Sequence, residues 1–345
     1  MLGMKIGIDF GSANITVYSE GKGIILCEPS VMVCDKYSGK TVAMGSAAKK
    51  MLGKLPSSMV AVSPIKDGMI NDYDAAVRML RVYIDRICAG KLLKPNVLMC
   101  MPSNVSELNK KTVFEAITAA GAGRACFVEQ ALAAAIGSGI SLTEPKGTFI
   151  CDIGGGISDS AVVTMGNIAV SSSVKVGGHD LTKGISNYIL KEHNIEVGPE
   201  TADKIKRTVG SAVFRNEEIA IIVGGKSLDS GFTVLFEITS TEVYWILKPY
   251  VEEILQCIKN VLEVTPPELV SDIFDTGIVL SGGTANLFGI EKYIEWNTGL
   301  RTRKAAIPEQ CAALGLGRLL GNMKYLENNG YVFVSADEDT DDDEL

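Results

Sequence analysis

A short turn occurs twice in this chain, and its two aspartates lie 143 residues apart. Residues 8–18 read IDFGSANITVY, and residues 151–163 read CDIGGGISDSAVV. In each copy an apolar strand ends at an aspartate, glycine and small residues follow, and strand-like alternation then resumes. A turn repeated at this distance constrains the chain to two related halves, each of which begins with a β-hairpin.

These turns have the composition of an anion-binding loop. Glycine accepts positive φ, and small neighbours let backbone N–H groups converge on a ligand. Asp9 and Asp152, at the strand ends, would face Mg²⁺ or its water shell while phosphate oxygens accept from the amides. A single copy would be explained better as a glycine-rich hairpin turn that binds no ligand than as an anion-binding loop, since such hairpins are common. Two matching copies favour a nucleotide held between them.

A third glycine turn, VLSGGTANLFG at residues 279–289, follows an apolar strand and precedes a helical pattern. Its N–H groups and the helix N-terminus would face one point, which suits an anion. It lacks both G-x-G-x-x-G and G-x-x-x-x-G-K-[ST], so neither a Rossmann fingerprint nor a Walker P-loop is present. A strand–helix turn that merely needs glycine explains it equally well.

The composition is that of a folded protein long enough for two domains. The chain has 345 residues, 46% of them hydrophobic, and 36 glycines. Its eight cysteines are scattered without a C-x-x-C pair, which indicates buried reduced thiols, and two histidines argue against a histidine-based metal site. The start, MLGMKIGIDFG, lacks the basic and apolar regions of a signal peptide. We therefore expect a cytoplasmic protein.

The net charge of −8 is unevenly distributed, because residues 336–345 carry seven acidic side chains and the remainder of the chain is near −1. That remainder has no basic surplus to neutralise phosphates, so nucleic acid is not an expected partner. The acidic tail is expected to be disordered and to serve solubility or repulsion, with a docking motif as the alternative.

Periodicity predicts an α/β chain in which both halves begin with a strand meander and continue with alternating helices and strands. The first predicted meander covers residues 4–35 and the second starts near residue 148, and strand-like segments also lie at 96–103, 125–130 and 219–238. The predicted helices are 72–89, 105–123, 179–194, 200–212, 241–264 and a final helix near 308–321. Asp72 or Asp74 would cap the first of these helices and Ser106 the second, and Pro249 would kink the helix at 241–264.

The segments DFGSAN, VEQALAAAIG, DIGGGISD and VLSGGTANLFGIEKYI, in this order, resemble the actin, sugar kinase and heat-shock chaperone ATPase superfamily. Within it, GKGIILCEPSVMV, AMGSAAKKMLGK, VSPIKDGMINDYDAA and VGGHDLTKGISNYI are similar to the MreB family of bacterial actin-like cell-shape proteins. The resemblance extends from about residue 5 to about residue 320 and leaves the acidic tail unexplained.

The resemblance implies an actin-like fold of two similar α/β domains, each split into two subdomains, around a nucleotide cleft. A hinge would pass through 130–139 and through the final helix near 311–320. The implied ranges are domain I at 1–140 with subdomain IB at about 32–74, completed by the helix at about 308–322, domain II at 141–307 with subdomain IIB at about 182–240, and the acidic tail at 336–345.

The resemblance also assigns residues to an ATP or ADP site with Mg²⁺. Asp9 and Asp152 would face the metal, and Gln130, Asp152 and Ser158 would form the hydrolytic side. The implied nucleotide-binding residues are Gly11, Ser12, Ala13, Asn14, Gly154, Gly155, Gly156, Gly178, Lys204, Lys206, Arg207, Gly282, Gly283, Thr284 and Ala285.

Two positions depart from the family pattern on the hydrolytic side. Gln130 stands where the family has the glutamate that orients the attacking water, and an amide can only position water, whereas a carboxylate can accept its proton. Glu129, one residue away, should point elsewhere. Ile157 replaces a hydroxyl residue of the family's second loop. We therefore expect slow, polymer-linked hydrolysis, with a non-hydrolysing nucleotide-locked scaffold or a small-molecule kinase as alternatives.

Family resemblance further implies filaments, including paired protofilaments, on the inner membrane face, and cell-wall elongation proteins as partners. The chain has only four residues before its first strand, so an N-terminal amphipathic helix is not expected. Leu92 and Leu93, between Lys91 and Lys94, match the family's apolar membrane loop. The alternative is that these leucines cover the helix that precedes them.

Overall fold

The computed structural model describes residues 3–141 and 143–335; the acidic tail predicted at 336–345 lies outside these residues. The strands are β1 (Lys5–Phe10), β2 (Asn14–Ser19), β3 (Gly23–Pro29), β4 (Met32–Asp35), β5 (Thr41–Met44), β6 (Met59–Val62), β7 (Ile65–Lys66), β8 (Met69–Ile70), β9 (Asn96–Met101), β10 (Arg124–Glu129), β11 (Thr148–Ile153), β12 (Ser158–Thr164), β13 (Asn167–Val174), β14 (Ile195–Glu196), β15 (Ala220–Ser227), β16 (Thr233–Thr239), β17 (Ile278–Ser281), β18 (Thr302–Lys304) and β19 (Val334–Ser335).

Helices cover and connect these strands. They are α1 (Ser46–Lys49), α2 (Tyr73–Ile87), α3 (Glu107–Ala119), α4 (Gln130–Gly137), α5 (Gly178–His193), α6 (Pro199–Val209), α7 (Ser240–Val264), α8 (Pro267–Thr276), α9 (Ile290–Thr298), α10 (Cys311–Leu320) and α11 (Met323–Asn328), with the 3₁₀ turns η1 (Gly283–Asn286) and η2 (Pro308–Gln310). No helix in the described ranges is both long and apolar enough to cross a membrane.

Two central sheets repeat one topology. The first has the strand order β19-β10-β9-β1-β2-β3, and the second has the order β13-β12-β11-β17-β18. In each, a three-stranded antiparallel meander (β1-β2-β3 or β11-β12-β13) is followed by two strands that extend the sheet in parallel (β9 and β10, or β17 and β18). The two-halves prediction from the duplicated turn is confirmed at the level of sheet topology.

Three small sheets are inserted into this plan. The sheets β5-β4-β6 and β7-β8 lie between β3 and α2, and the sheet β14-β15-β16 lies between α5 and α7. The predicted first meander is corrected here, since β4 pairs with β5 and β6 and not with the first central sheet.

Local capping sets several of the helix starts as the sequence predicts. The side chain of Asp72 accepts from the amide of Ala75 at 2.9 Å, and Ser106 caps α3. Thr239 and Glu242 form a capping box at the start of α7, which continues through Pro249 as one helix. Each cap satisfies backbone donors that the first helical turn leaves unpaired.

Buried side chains form three clusters. One lies around the second sheet and α5–α7, one lies around the first sheet and α2–α3, and the third lies between them, around α4 and α10. In the third cluster the helices touch backbone to backbone: a Cβ on Gly137 would lie 1.8 Å from the carbonyl oxygen of Cys311, and one on Gly315 would lie 1.8 Å from that of Ala133. Only glycine permits this approach.

Candidate functional site

A cleft of about 1150 Å³ opens between the two central sheets. All three glycine turns contribute to its lining, together with α6 and the loop that carries Arg215. The predicted residues that line it are Asp9, Gly11, Ser12, Ala13, Asn14, Gln130, Asp152, Gly154, Gly155, Gly156, Gly178, Lys206, Arg207, Gly282, Gly283 and Thr284.

The duplicated turns close in the same way. In the first, the amide of Gly11 donates to the carbonyl of Asn14 at 3.0 Å; in the second, the amide of Gly154 donates to the carbonyl of Ile157 at 2.9 Å. Each turn joins two antiparallel strands of its own sheet, β1 to β2 and β11 to β12. The sequence repeat is therefore a repeat of local hydrogen bonding as well as of composition.

The two turns also touch each other across the cleft. A Cβ on Gly155 would lie 2.7 Å from the Cβ of Ala13, and a Cβ on Gly156 would lie 2.8 Å from the Oγ of Ser12. The same Oγ accepts from the amide of Gly68 at 3.0 Å. Small residues at these positions therefore let two backbone loops from different sheets meet.

Two carboxylates and an amide lie at the bottom of this junction. The Oδ1 of Asp152 accepts from the Oγ of Ser281 at 2.6 Å, and its Oδ2 accepts from the Nε2 of Gln130 at 3.3 Å. The Sγ of Cys100 lies 3.5 Å from the Oδ1 of Asp9, to which it donates. Strand ends of both sheets thus bring Asp9, Asp152 and Gln130 to one place.

Burial and proximity perturb these carboxyl groups. Burial, with the charge of Asp152 as a smaller cause, raises the pKa of Asp9 from 3.8 to about 7. Burial also raises the pKa of Asp152, against the hydrogen bonds from Ser281 and Gln130. Two carboxylates that resist ionisation together form a place where a cation would be stabilised.

This donor set fits a hard cation such as Mg²⁺. Mg²⁺ usually keeps several waters and binds through one or two carboxylates together with substrate phosphates. Within residues 3–141 and 143–335, no three side chains of histidine, cysteine, aspartate or glutamate converge on a metal position. Asp9 and Asp152, beside two phosphate-type turns, suit a metal that arrives with its nucleotide.

The start of α5 is anchored to the second turn. The amides of Gly178 and His179 donate to the carbonyls of Gly154 and Gly155 at 3.0 and 2.7 Å. The Nζ of Lys206 donates at 2.8 Å to the carbonyl of Gly178, and it pairs with Asp203 at 2.8 Å. Burial lowers the pKa of Lys206, although Asp203 opposes this. The amino group of Lys206 is thereby held against the wall of the cleft.

The third turn differs from its prediction in one respect. It enters the 3₁₀ turn η1, and the helix α9 starts only at Ile290. Gly282 has φ +81°, and a Cβ there would lie 2.3 Å from the carbonyl oxygen of Ile153, so glycine is required. The Oγ1 of Thr284 donates to the carbonyl of Gly154 at 2.7 Å, which ties the third turn to the second.

The structure does not bring three predicted site residues to the cleft surface. The Oγ of Ser158 is buried and donates to the carbonyl of Val176 at 2.7 Å, so the strand itself uses this hydroxyl. Lys204 is exposed and lies off the cleft-lining face of α6, and Ala285 is buried beneath its turn. The expected catalytic role of Ser158 and nucleotide contact of Lys204 are therefore not supported by their positions.

Several cleft-lining residues are absent from the site predicted from the sequence. Lys49 and His179 lie along its wall, and the guanidinium of Arg215 stacks 3.8 Å from the ring centroid of Phe288. Arg215 and Phe288 are 73 residues apart in the sequence, so only the fold brings them together. Outside the cleft, Leu92 is 103% exposed and Leu93 is 54% exposed.

Two sheets of repeated topology, with phosphate-type turns facing each other across a cleft, define an actin-like protein. Solved structures agree: MreB5 of Spiroplasma citri bound to ADP has a TM-score of 0.89 and 34% identity, covering 95% of this chain and 99% of its own. The AMPPNP-bound form of MreB5 has a TM-score of 0.88 and 33% identity, covering 96% and 99%. The chain belongs to the MreB/Mbl protein family, whose profile matches residues 3–328.

Two cell shape-determining proteins have similar levels of sequence identity to this chain. The cell shape-determining protein Mbl of Bacillus subtilis (strain 168) is 39% identical over 330 residues, covering 94% of this chain and 98% of Mbl. The cell shape-determining protein MreB of Escherichia coli (strain K12) is 35% identical over 326 residues, covering 93% and 94%. The chain is therefore a bacterial actin homologue along nearly its full length.

Proposed function

We propose that this protein binds ATP or ADP with Mg²⁺ in the cleft, assembles into filaments, and hydrolyses ATP slowly in a polymer-linked reaction. The observation that carries the proposal is the pair of identically closed turns, at 3.0 and 2.9 Å, with Asp9, Asp152 and Gln130 beneath them. The relatives bound to ADP and AMPPNP support the nucleotide assignment.

Phosphates would lie on the two turns. Backbone amides of Ser12–Asn14 and of Gly155 and Gly156 are the candidate donors, because small side chains line the cleft there, whereas the amides of Gly11 and Gly154 close their own turns. Lys206, held by Asp203, contributes positive charge nearby. On the far side of the second turn, Gly282, Gly283 and Thr284 would support the remainder of the nucleotide, with Arg207 on the adjacent helix.

Hydrolysis would depend on Gln130. Mg²⁺ held through water by Asp9 and Asp152 would neutralise phosphate charge. The amide nitrogen of Gln130 donates to Asp152, which leaves its carbonyl oxygen to accept from a water molecule and orient it. Because an amide cannot take up the proton of that water, the reaction would be slow.

Opening and closing of the cleft would follow the division expected from the sequence, with domain I at 1–140 and domain II at 141–307. Two features support the assignment of α10 to domain I. A Cβ on Gly7 would lie 2.7 Å from the Cβ of Leu316, and one on Gly317 would lie 2.4 Å from the ring of Tyr18. The hinge expected through 130–139 and 311–320 would lie in α4 and α10, which share a buried cluster with Ile150, Ala161 and Val279 of the second sheet.

The proposed function extends to where the filaments lie in the cell and to their partners. The family relatives are cell shape-determining proteins, so we assign this protein to filaments on the cytoplasmic face of the inner membrane, with wall-elongation proteins as partners. Leu92 and Leu93 would provide a weak apolar contact for each subunit, and a filament would multiply that contact through avidity.

One observation favours a second candidate. The residue at the water-positioning place is an amide that is already hydrogen-bonded to Asp152, and such a site suits a nucleotide-locked scaffold that binds ATP without turnover. A small-molecule kinase is less well supported, because the two carboxylates beside the phosphate turns, Asp9 and Asp152, are already assigned to the metal. The other carboxylates of the described cleft lining belong to α6, α9 and η2 and not to these turns: Glu200, Asp203, Glu291 and Glu309.

Phosphate release and pelleting, measured together over a range of protein concentrations, test the proposal. Turnover and pelleting that rise together above a critical concentration are expected. Pelleting with bound ATP and no phosphate release would support the scaffold instead. A protein that neither pellets nor binds nucleotide would contradict both candidate functions.

A further inference from the structure

The chain beyond α10 forms an ordered segment, residues 322–335, which we name the C-terminal strap. It begins with Asn322, which caps α11, and ends with β19, which pairs antiparallel with β10. Leu326 and Phe333 anchor it, with exposures of 0% and 3%, in the cluster that also contains α4 and α10. The family profile ends at residue 328, inside this segment.

The strap contacts the residue that directly precedes Gln130. The hydroxyl of Tyr331 donates to the Oε2 of Glu129 at 2.7 Å. Glu129 is the last residue of β10 and the N-cap residue of α4, and its side chain makes no capping hydrogen bond there. The conformation of this carboxylate is therefore set by the strap and not by the helix that it precedes.

The strap also reaches the second central sheet. The hydroxyl of Tyr325 donates to the carbonyl of Gly166, and the Nδ2 of Asn167 donates to the Oδ1 of Asn329 at 2.9 Å. Gly166 has φ +77°, and a Cβ on it would lie 2.7 Å from the Tyr325 ring, so glycine is needed for this contact. The strap thus bridges β10 of the first central sheet and the β12–β13 turn of the second.

We infer that the C-terminal strap positions Gln130, with Tyr331 acting through Glu129 as the positioning residue. Glu129 is the extended N-cap residue of α4, with φ −67° and ψ 138°, and Gln130 is the first residue of that helix. Because the Glu129 backbone leads directly into Gln130, holding the Glu129 side chain also holds the backbone from which Gln130 reaches Asp152, whose Oδ2 accepts from it at 3.3 Å. This inference rests on the proposed function only for its effect on turnover, since the contacts of the strap are made by side chains outside the cleft lining.

Loss of the Tyr331 hydroxyl leaves a partly buried carboxylate without its donor, and such a group reorients toward water. The β10–α4 junction would rotate with it. Small displacements of a group that orients a reactant can cost up to about a hundredfold in rate. We expect kcat for ATP hydrolysis to fall about tenfold with a nearly unchanged KM, because the described residues that line the cleft include none from the strap.

The experiment compares Tyr331→Phe with Tyr37→Phe, which removes a hydroxyl from a ring that is 83% exposed. Phosphate release gives kcat and KM, and hydrogen–deuterium exchange reports residues 124–137 in the nucleotide-free protein. Tyr331→Phe should lower kcat and speed exchange at 124–137, while Tyr37→Phe changes neither. Glu129→Gln, which keeps an acceptor for Tyr331, should retain more of kcat than Glu129→Ala.

The outcomes separate this inference from the proposed function. A wild-type protein without phosphate release would contradict the hydrolysis proposal, and exchange at 124–137 would still decide whether the strap orders the junction. Wild-type turnover with equal kcat and equal exchange in the two tyrosine variants would overturn the inference. A rise in KM as large as the fall in kcat would also overturn it, because it would indicate general loosening of the cleft.

Discussion

The side-chain amide of Gln130 donates to the Oδ2 of Asp152 at 3.3 Å, and this hydrogen bond joins the helix that follows the first central sheet to a strand of the second. Gln130 follows β10 of the first sheet, whereas Asp152 lies in β11 of the second. Any motion that separates the sheets lengthens this hydrogen bond. The proposed water-positioning group is thus coupled to closure of the cleft, which is where polymer-linked turnover would act.

Gln130→Ala should lower phosphate release at least about tenfold, since the group that orients the water is lost. Nucleotide affinity should change little, because the phosphate turns remain intact. Phosphate release and fluorescent-nucleotide titration measure the two effects. Gln256→Ala, on the exposed face of α7, is the matched control. Turnover equal to wild type would remove Gln130 from the hydrolytic role.

The pKa of Asp9 predicts how stability depends on pH. Its pKa is raised from 3.8 to about 7 in the folded protein, so the folded state binds more protons than the unfolded state in this range. The stabilisation is complete below the unfolded value and is lost as pH rises from about 4 to about 7. Urea unfolding of nucleotide-free protein at pH 5 and pH 8 should therefore show a larger loss of stability for wild type than for Asp9→Asn. Equal losses of stability in the two proteins would contradict the raised pKa of Asp9.

The same shift predicts proton release on ligand binding. Carboxylates must ionise before they face a cation, so Mg²⁺–ADP should displace a proton from Asp9 near pH 7. Calorimetry in two buffers of different ionisation enthalpy gives the number of protons released. Asp9→Asn should release fewer protons, and Asp35→Asn, at an exposed turn, should match wild type. Release that is independent of Asp9 would contradict this prediction.

Local features of the sequence predicted much of the fold. The caps at Asp72 and Ser106 and the duplicated turn depend on residues within a few positions of each other, so they can be identified without tertiary information. The strap could not be predicted in this way. Its strand β19 has two residues, and its stability comes from Tyr331, Phe333 and other contacts with distant segments.

Two predicted site residues lie away from the cleft surface for specific reasons. The family resemblance implied Lys204, but the cleft-lining residues of α6 are Glu200, Asp203, Lys206, Arg207 and, just beyond, Gly210. Their spacing of three and four residues marks one helical face that excludes position 204. Helical spacing alone places Lys204 off that face. Ser158 is different, because only the strand register shows that its hydroxyl reaches the carbonyl of Val176.

Gly315→Ala should strongly destabilise the protein. The added Cβ would lie 1.8 Å from the carbonyl oxygen of Ala133, so α10 and α4 must separate, and overpacking of this kind typically costs about 1–3 kcal/mol. Gly198→Ala is the control, since a Cβ there meets nothing within 4 Å. Thermal unfolding should show a large decrease in Tm for the first variant and a small one for the second. Comparable values would mean that the helix crossing adapts.

The apolar loop between α2 and β9 is predicted to contact the membrane. Leu92 is 103% exposed and Leu93 is 54% exposed, so Leu92 does not cover the preceding helix and the alternative interpretation fails for that residue. Insertion of both side chains into a bilayer would contribute roughly 3–5 kcal/mol per subunit. The flanking Lys91 and Lys94 are also exposed and would favour anionic lipid.

Replacing Leu92 and Leu93 together with serine should therefore abolish most co-sedimentation with vesicles that contain phosphatidylglycerol. The loss should be greatest under conditions in which wild type pellets as filaments, because many weak contacts then act together. Leu108→Ser is the matched control, as Leu108 is 74% exposed on α3, away from this loop. Pelleting without vesicles must stay equal in all three proteins, so that lost binding reflects lipid contact and not lost assembly. Undiminished vesicle binding by the double variant would place membrane attachment elsewhere on the protein.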